Sequence, residues 1–111
     1  FTVVSRESFQ LGAFRIYPNP GVGPFFLDIE HNAAKEELSA VWEIVSPEGQ
    51  VVFRTQWQGE ATSAVLQTVE WDGTDGQGHL LPAGWYFARV QLTRMTDGQR
   101  LHASERIILL H

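Results

Sequence analysis

The acidic, glycine-rich segment 72–78 holds the side chains best suited to bind a metal ion. Its carboxylates and hydroxyl sit on a glycine-rich turn and supply the oxygen ligands that calcium prefers. The segment lacks the ligand at every second position and the closing glutamate that a calcium loop of the EF-hand type requires. We therefore predict a structural double turn here, without a metal ion or other cofactor. The preceding Trp71 is expected to fill the end of the hydrophobic core.

The sequence also lacks the residue patterns of a catalytic or a zinc-binding site. The histidines are His31, His79, His102 and His111, and no two of them have the spacing that a zinc site would need. We predict that they are loop and surface residues. The six serines form no nucleophile elbow, and a chain without cysteine can form neither a disulfide nor a zinc knuckle. The sequence therefore does not indicate an enzyme.

Length, apolar content and charge narrow the class of protein further. The chain has 111 residues, of which 43% are apolar and 19% charged, which is typical of one soluble globular domain. Its net charge of −5 repels phosphate backbones, so nucleic acid is not expected as a partner. Arg6 and Glu7 interrupt the apolar run that a signal peptide would need, so an exported precursor would carry its signal upstream. Because the sequence opens on Phe1, we expect a fragment of a longer protein.

Turn-forming residues recur about every ten positions, which is typical of an all-β domain. Between them, apolar and polar residues alternate: Leu38, Ala40, Trp42 and Ile44 fall on one face of their run and Ser39 on the other. The β-rich runs are residues 11–17, 25–30, 38–45, 51–57, 65–71, 85–96 and 99–110. This pattern predicts an immunoglobulin-like antiparallel β-sandwich of about seven strands.

Turn chemistry predicts two hairpins. The segment 46–49 has proline and glycine at turn positions and joins the third run to the fourth. Asp97-Gly98 predicts a two-residue type I′ turn, which would pair Thr96 with Gln99 and Tyr86 with Leu109. The same register sets Arg89 opposite Arg106 and turns Glu105 inward. Both placements are unfavourable, so a bulge or a longer loop would shift the register.

The far end of this last hairpin is apolar on both faces. Tyr86, Ala88, Val90 and Leu92 form the more continuous apolar set and are predicted to face the core. The opposite face then carries a second cluster, which we call the terminal patch: Trp85, Phe87, Ile108 and Leu110. Two explanations stay open for this patch. Either Phe1, Val3 or Phe9 covers it, or it is a docking surface for a partner.

Six short motifs occur in an order and at a spacing that resemble a known family. They are Tyr17-Pro18-Asn19-Pro20, Gly23 with Phe25-Phe26-Leu27, the run from Trp42 to Val52, the run from Trp71 to Gly78, Pro82-Ala83-Gly84-Trp85-Tyr86-Phe87, and Arg106-Ile107-Ile108-Leu109-Leu110. Together they resemble the type A C-terminal sorting domain of the type IX secretion system of Bacteroidota. The immunoglobulin-like domain of flagellar hook-capping proteins is a more distant resemblance.

The resemblance implies a role in protein export. A domain of residues 14–111 would direct an upstream cargo to the cell surface or the medium. The translocon and an outer-membrane shuttle protein would recognise it, and a sortase would cleave within a linker of residues 1–13. By the same resemblance, recognition involves Pro18, Asn19, Pro20, Gly23, Gly49, Arg106, Ile107, Ile108, Leu109 and Leu110. The family usually has two basic residues before its terminal apolar run, whereas this chain has Glu105-Arg106.

Two other classes of function are alternatives. In a carbohydrate-binding module, Trp57 and Trp85 would be free to stack on a sugar, whereas Trp42 belongs to the core. In a scaffold module, the domain would act as a spacer within a larger surface assembly. Edge strands of a sandwich would also permit a weak homodimer.

Overall fold

The computed structural model describes residues 8–110, without the side chains of residues 67–69. Within this part the chain forms seven β-strands and no helix that could cross a membrane. The strands are β1 (Leu11–Tyr17), β2 (Phe25–His31), β3 (Glu37–Val45), β4 (Val51–Glu60), β5 (Val65–Trp71), β6 (Gly84–Arg94) and β7 (Gln99–Leu109). Turn chemistry and alternation thus predict strand positions well. The largest difference is at β4, which continues three residues beyond the predicted end at Trp57.

The strands form two antiparallel sheets packed face to face, which confirms the predicted all-β sandwich. One sheet has the order β1-β2-β5 and the other has the order β4-β3-β6-β7. In a constant-type immunoglobulin domain the fourth strand lies in the sheet of the first two. Here β4 pairs with β3 along its whole length, because the turn at 46–49 closes that hairpin directly. Gly49 takes a φ of +90° in this turn.

The core lies between the two sheets and is built from alternate residues of each strand. Trp42 is 1% exposed, which confirms its predicted place in the core. The other largest fully buried side chains are Trp71, Phe25, Leu27, Ile29, Leu38, Ile44, Leu92, Ile107, Leu109 and Val90. Because β7 supplies two of these side chains, the last strand is a structural part of the sandwich.

Trp71 fills one end of the core, as the sequence predicts. Its ring stacks on Phe25 with 5.4 Å between ring centroids and meets Tyr86 edge-on at 6.0 Å. The indole N–H donates a hydrogen bond to the carbonyl oxygen of Thr74 at 2.8 Å, so the buried polar atom is satisfied. This bond also ties the core to the turn that follows β5.

The predicted two-residue turn at Asp97-Gly98 is wrong. Arg94 pairs with Gln99, so four residues form the loop and Tyr86 lies opposite Ile107. Asp97 explains the longer loop, because its carboxylate accepts hydrogen bonds from the buried Arg94 guanidinium and from the N–H of Gln99. The shift by two residues removes the predicted unfavourable pair, since Arg89 now faces Ser104.

His31 corrects the prediction that all four histidines are loop and surface residues. It is the last residue of β2 and is 5% exposed. Its Nδ1 accepts a hydrogen bond from the N–H of Ala33 at 3.0 Å. Burial lowers the pKa of His31 from its ordinary value, while the carboxylate of Glu36 partly opposes that shift. His79 and His102 are exposed as predicted, and His111 lies outside the described residues.

The lowered pKa of His31 predicts a loss of stability in mild acid. The unfolded chain takes up a proton on this residue at a higher pH than the folded chain does, so it binds more protons in that range. The stability that neutral His31 contributes to the folded chain is therefore fully present above the ordinary pKa of 6.5, and it declines as the pH falls below that value. Urea unfolding at about pH 7.5 and about pH 5.5 measures this decline. His31→Asn should reduce this loss of stability between the two pH values, whereas His102→Asn should not. An equal loss in both variants would contradict the role of His31.

Candidate recognition site

The segment that follows β1 lies against the end of β7 and holds it. The side-chain amide of Asn19 donates a hydrogen bond to the carbonyl oxygen of Arg106 at 2.6 Å. Its side-chain oxygen accepts one from the N–H of Ile108 at 2.9 Å. One asparagine therefore satisfies two main-chain groups on the outer edge of the last strand. Two sequence motifs that the family resemblance assigns to recognition thus meet in space.

Gly21 completes this contact, which we call the terminal clamp and define as the bonds from Asn19 and Gly21 to residues 106–110. The N–H of Gly21 donates to the carbonyl oxygen of Ile108 at 3.1 Å, and its carbonyl oxygen accepts from the N–H of Leu110 at 2.7 Å. Gly21 and Leu109 thereby form a parallel bridge. Pro18 and Pro20 have no N–H, so Asn19 and Gly21 are the residues of this turn that can donate from the main chain.

Gly21 was not among the predicted recognition residues, although the structure gives it a specific steric role. A Cβ atom at this position would lie 2.7 Å from Cγ of Pro18. Gly21→Ala is therefore expected to displace the clamp and lower the free energy of unfolding by about 1–3 kcal/mol. Gly76→Ala is the matched control, because a Cβ atom there would meet nothing within 4 Å. Urea denaturation of both variants measures the difference, and equal stabilities would contradict the steric role.

The terminal patch lies on the outer face of the second sheet, beside the clamp. Trp85 is 47% exposed, Phe87 38% and Leu110 44%, while Ile108 is half-buried. The rings of Trp85 and Phe87 meet edge-on with 5.3 Å between centroids. The patch is thus an ordered apolar surface, and Arg106 stands directly opposite Phe87 on the neighbouring strand.

Phe9 does not cover the terminal patch, as one of the open explanations proposed. Its side chain is 2% exposed within the core, and the guanidinium of Arg94 lies 5.3 Å from the centroid of its ring. Arg94 is at the end of β6 that is distant from Trp85. Phe1 and Val3 lie outside the described residues.

The remaining predicted recognition residues are glycines that shape nearby loops. Gly23 has a φ of +83°, and a Cβ atom there would lie 3.4 Å from main-chain atoms of Asp72. Gly49 belongs to the turn between β3 and β4. Pro47 and Glu48 of this turn line a groove of about 360 Å³ together with Trp85. The turn therefore borders the terminal patch from the side opposite the clamp.

The loop after Trp71 forms the predicted double turn. Asp72 accepts hydrogen bonds from the N–H and the hydroxyl of Thr74, and the hydroxyl bond in particular lowers the pKa of Asp72. Asp75 accepts from the N–H groups of His79 and Gln77, which lowers the pKa of Asp75. These carboxylates thus brace the loop. The described residues contain no cluster of three or more metal-binding side chains.

The aromatic side chains do not form the single sugar-binding face that the carbohydrate alternative requires. Trp57 pairs with the buried Ala40, so it lies on the inner face of the second sheet and packs against the core. Trp85 lies on the outer face of the same sheet. Two tryptophans on opposite faces of one sheet cannot stack on one ligand.

Comparison with known proteins finds a similar fold among the solved structures. No family model and no curated protein match the sequence. The fold is similar to part of dimeric latent PorU from Porphyromonas gingivalis, with a TM-score of 0.77 and 21% sequence identity. The similarity covers 97% of this chain and 10% of PorU. The chain therefore has the fold of a small part of that protein.

Proposed function

We propose that this domain is a C-terminal sorting domain that directs an upstream cargo through the type IX secretion system to the cell surface. The observation that carries the proposal is the terminal clamp, because it joins the first and last of the six motifs beside an exposed apolar patch. The fold supports the same assignment, since PorU is part of the type IX secretion system. The domain itself needs no catalytic activity for this role.

The geometry favours recognition through side chains at the end of β7. Extended segments are often recognised by adding a strand through main-chain hydrogen bonds. Here the clamp already forms hydrogen bonds with the N–H and carbonyl of Ile108, with the carbonyl of Arg106 and with the N–H of Leu110, so these groups cannot pair with an added strand. A translocon or shuttle protein would therefore contact the terminal patch and Arg106. The glycines and prolines of the predicted set, which include Pro18, Pro20, Gly23 and Gly49, would act by shaping this surface.

Processing by a sortase would occur before the folded domain begins. The main chain at Ser8 and Gln10 is bonded to the sandwich: the side-chain amide of Asn32 donates to the carbonyl oxygen of Ser8 at 2.6 Å, and its oxygen accepts from the N–H of Gln10 at 2.8 Å. These contacts support a cleavage position that precedes them. Within the linker of residues 1–13, we place the cleavage position N-terminal to Ser8.

Phe87→Ser is expected to reduce export of a reporter fused ahead of residues 1–111 about tenfold, because it removes the aromatic surface at the centre of the patch. Phe26→Ser is the matched control. Phe26 is 40% exposed, close to the 38% of Phe87, and lies on the other sheet. Surface and medium fractions of a type IX-competent bacterium would be compared for both variants.

The stability of each variant separates recognition from folding. Both substitutions remove a similarly exposed ring, so both should leave thermal unfolding of the purified domain nearly unchanged. Equal export of the Phe87→Ser and Phe26→Ser reporters would contradict recognition through the terminal patch. Sedimentation of the same purified domains would measure the weak homodimer, which stays a prediction.

A further inference from the structure

On the outer face of the second sheet, positive charge is concentrated on the half formed by β6 and β7, although the chain as a whole carries a net charge of −5 and Glu37, Glu43 and Glu60 lie on the half formed by β3 and β4. Arg54, Arg89, Arg100 and Arg106 lie on this face, and they are four of the eight lysines and arginines of the chain. None of the described side chains that point outward from β6 and β7 is acidic, although the carboxylate of Glu105 on β7 reaches the edge and accepts a hydrogen bond from the N–H of Arg106 at 3.1 Å. The half formed by β6 and β7, with Arg89, Arg100 and Arg106, is therefore the part of the face that is complementary to an acidic partner.

Part of this charge is already neutralised within the face. Glu43 accepts a hydrogen bond from Arg89 at 2.9 Å and lies 3.5 Å from Arg54. Arg100 and Arg106 are exposed and form no ion pair with any described residue. A shallow groove of about 530 Å³ on this face is lined in part by Glu43, Arg89, Gln91, His102 and Ser104. The cations on β7 are thus available to a ligand.

The outer edge of β7 has open main-chain groups beside this charge. In the ladder between β6 and β7 the pairing is continuous, and the N–H and carbonyl of Ile108 point away from β6 toward the clamp. Main-chain groups alternate sides along a strand, so those of Arg100, His102 and Ser104 point the same way. Among the described residues they form no backbone hydrogen bond on that side. The edge without backbone hydrogen bonds therefore extends over residues 100–104, where the clamp does not reach, although β1 of the other sheet packs beside β7.

We propose that the edge of β7 at residues 100–104 binds an extended acidic segment of a partner protein as an added β-strand. Alternate acidic side chains of that segment would lie against Arg100 and Arg106. The intervening apolar side chains would cover Leu101 and Ala103, which are only partly buried on the inner face. This site adjoins the terminal patch and shares Arg106 with the surface proposed for recognition, but its strand addition at residues 100–104 goes beyond the sorting function.

The charge pattern and the unpaired main-chain groups also disfavour two other ligands at this edge, a second copy of the chain and an anionic polysaccharide. A second copy of the chain pairing antiparallel through the same edge would bring its Arg106 close to Arg100, and like charges across a strand pair are destabilising. An anionic polysaccharide could satisfy the arginines but has no regular main-chain donors and acceptors to match the open strand. An acidic polypeptide satisfies both features.

A peptide titration tests the proposal directly. The probe is an acetylated and amidated peptide of alternating glutamate and valine, added to the isotope-labelled chain of residues 1–111 and followed by amide NMR. Saturable shifts confined to β7 and the adjoining part of β6 are expected. The Arg100→Gln and Arg106→Gln double variant should bind about tenfold more weakly, and Ser104→Pro should bind about fivefold more weakly. Proline is tolerated at an edge position whose N–H faces solvent, and thermal melts would verify that each variant is folded.

Controls give each alternative a distinct outcome. Arg15→Gln, on the other sheet, should leave the affinity unchanged, and a peptide of alternating lysine and valine should not bind. Equal affinity of the unaltered chain and the folded Ser104→Pro variant would overturn strand addition. Binding of polygalacturonate without binding of the peptide would assign the face to a glycan instead. Absence of saturation up to about 1 mM peptide would also overturn the proposal. None of these results depends on export, so they are distinct from a failure of the sorting function.

Discussion

Removal of residues 107–111 is expected to abolish cooperative folding of the domain. Ile107 and Leu109 are both fully buried, and truncation of a buried isoleucine or leucine to alanine typically costs about 2–5 kcal/mol each. The deletion also removes the strand that pairs with Trp85 and Tyr86 and leaves the terminal clamp without its partner. This combined loss is comparable to the whole stability of a domain, which is about 5–15 kcal/mol.

Near-ultraviolet circular dichroism and urea denaturation would measure the effect of the deletion. Leu110→Ser serves as the control, because Leu110 is 44% exposed and its main-chain bond to Gly21 does not involve the side chain. This control should unfold like the unaltered chain. A cooperative transition of nearly full stability in the deletion variant would show that β7 is peripheral to the fold.

The same deletion would stop export for two reasons at once. It removes half of the terminal patch, and it also leaves an unfolded domain that nothing could recognise. Loss of export in this variant therefore supports recognition only when surface variants that remain folded, such as Phe87→Ser, lose export too.

Trp71→Ala is expected to lower the free energy of unfolding by about 3–5 kcal/mol. The substitution empties the end of the core, where the ring stacks on Phe25 and contacts Tyr86, and it leaves the carbonyl of Thr74 without its indole donor. Trp71→Phe retains the ring contacts but loses the hydrogen bond, so its cost should be clearly smaller. Denaturation in urea compares the three proteins. A loss below about 1 kcal/mol in the alanine variant would contradict the role of Trp71 as the end of the core.

Most strand positions could be predicted from the sequence, because local physical chemistry determines them. The bounds of β1 and β5 agree with the predicted runs, since each run ends at a turn signal, which begins at Pro18 after β1 and at Asp72 after β5. The buried face of β6 was also predicted correctly despite the wrong turn. The register error was two residues, and a shift by an even number keeps every side chain on its face.

The errors arose where contacts outside the local pattern decide the structure. Dipeptide propensity at Asp97-Gly98 predicts a short turn, but the ion pair of Asp97 with the buried Arg94 stabilises a longer loop. His31 could have been placed correctly, because it continues the alternation of Phe25, Leu27 and Ile29 on the inner face of β2. The amphipathic character of histidine favoured the surface instead.

The candidate site was predicted as a set of residues but not as an arrangement. Asn19 and Arg106 were both assigned to recognition, yet they are 87 positions apart, and no local pattern indicates their hydrogen bond. Gly21 received no predicted role in recognition, although the missing N–H groups of Pro18 and Pro20 leave it as the next main-chain donor after Asn19. The hydrogen bonds of Asn19 and Gly21 can be assigned only when it is known that β7 lies beside this turn.

The most direct test of the sorting function is a secretion assay with the unaltered domain. A signal peptide and a fluorescent reporter are fused ahead of residues 1–111 and expressed in a type IX-competent bacterium and in its translocon-deficient strain. For a sorting domain, reporter is expected on the surface or in the medium of the competent strain alone. Reporter retained in the periplasm of both strains, with the domain folded, would contradict the sorting function and favour a scaffold module.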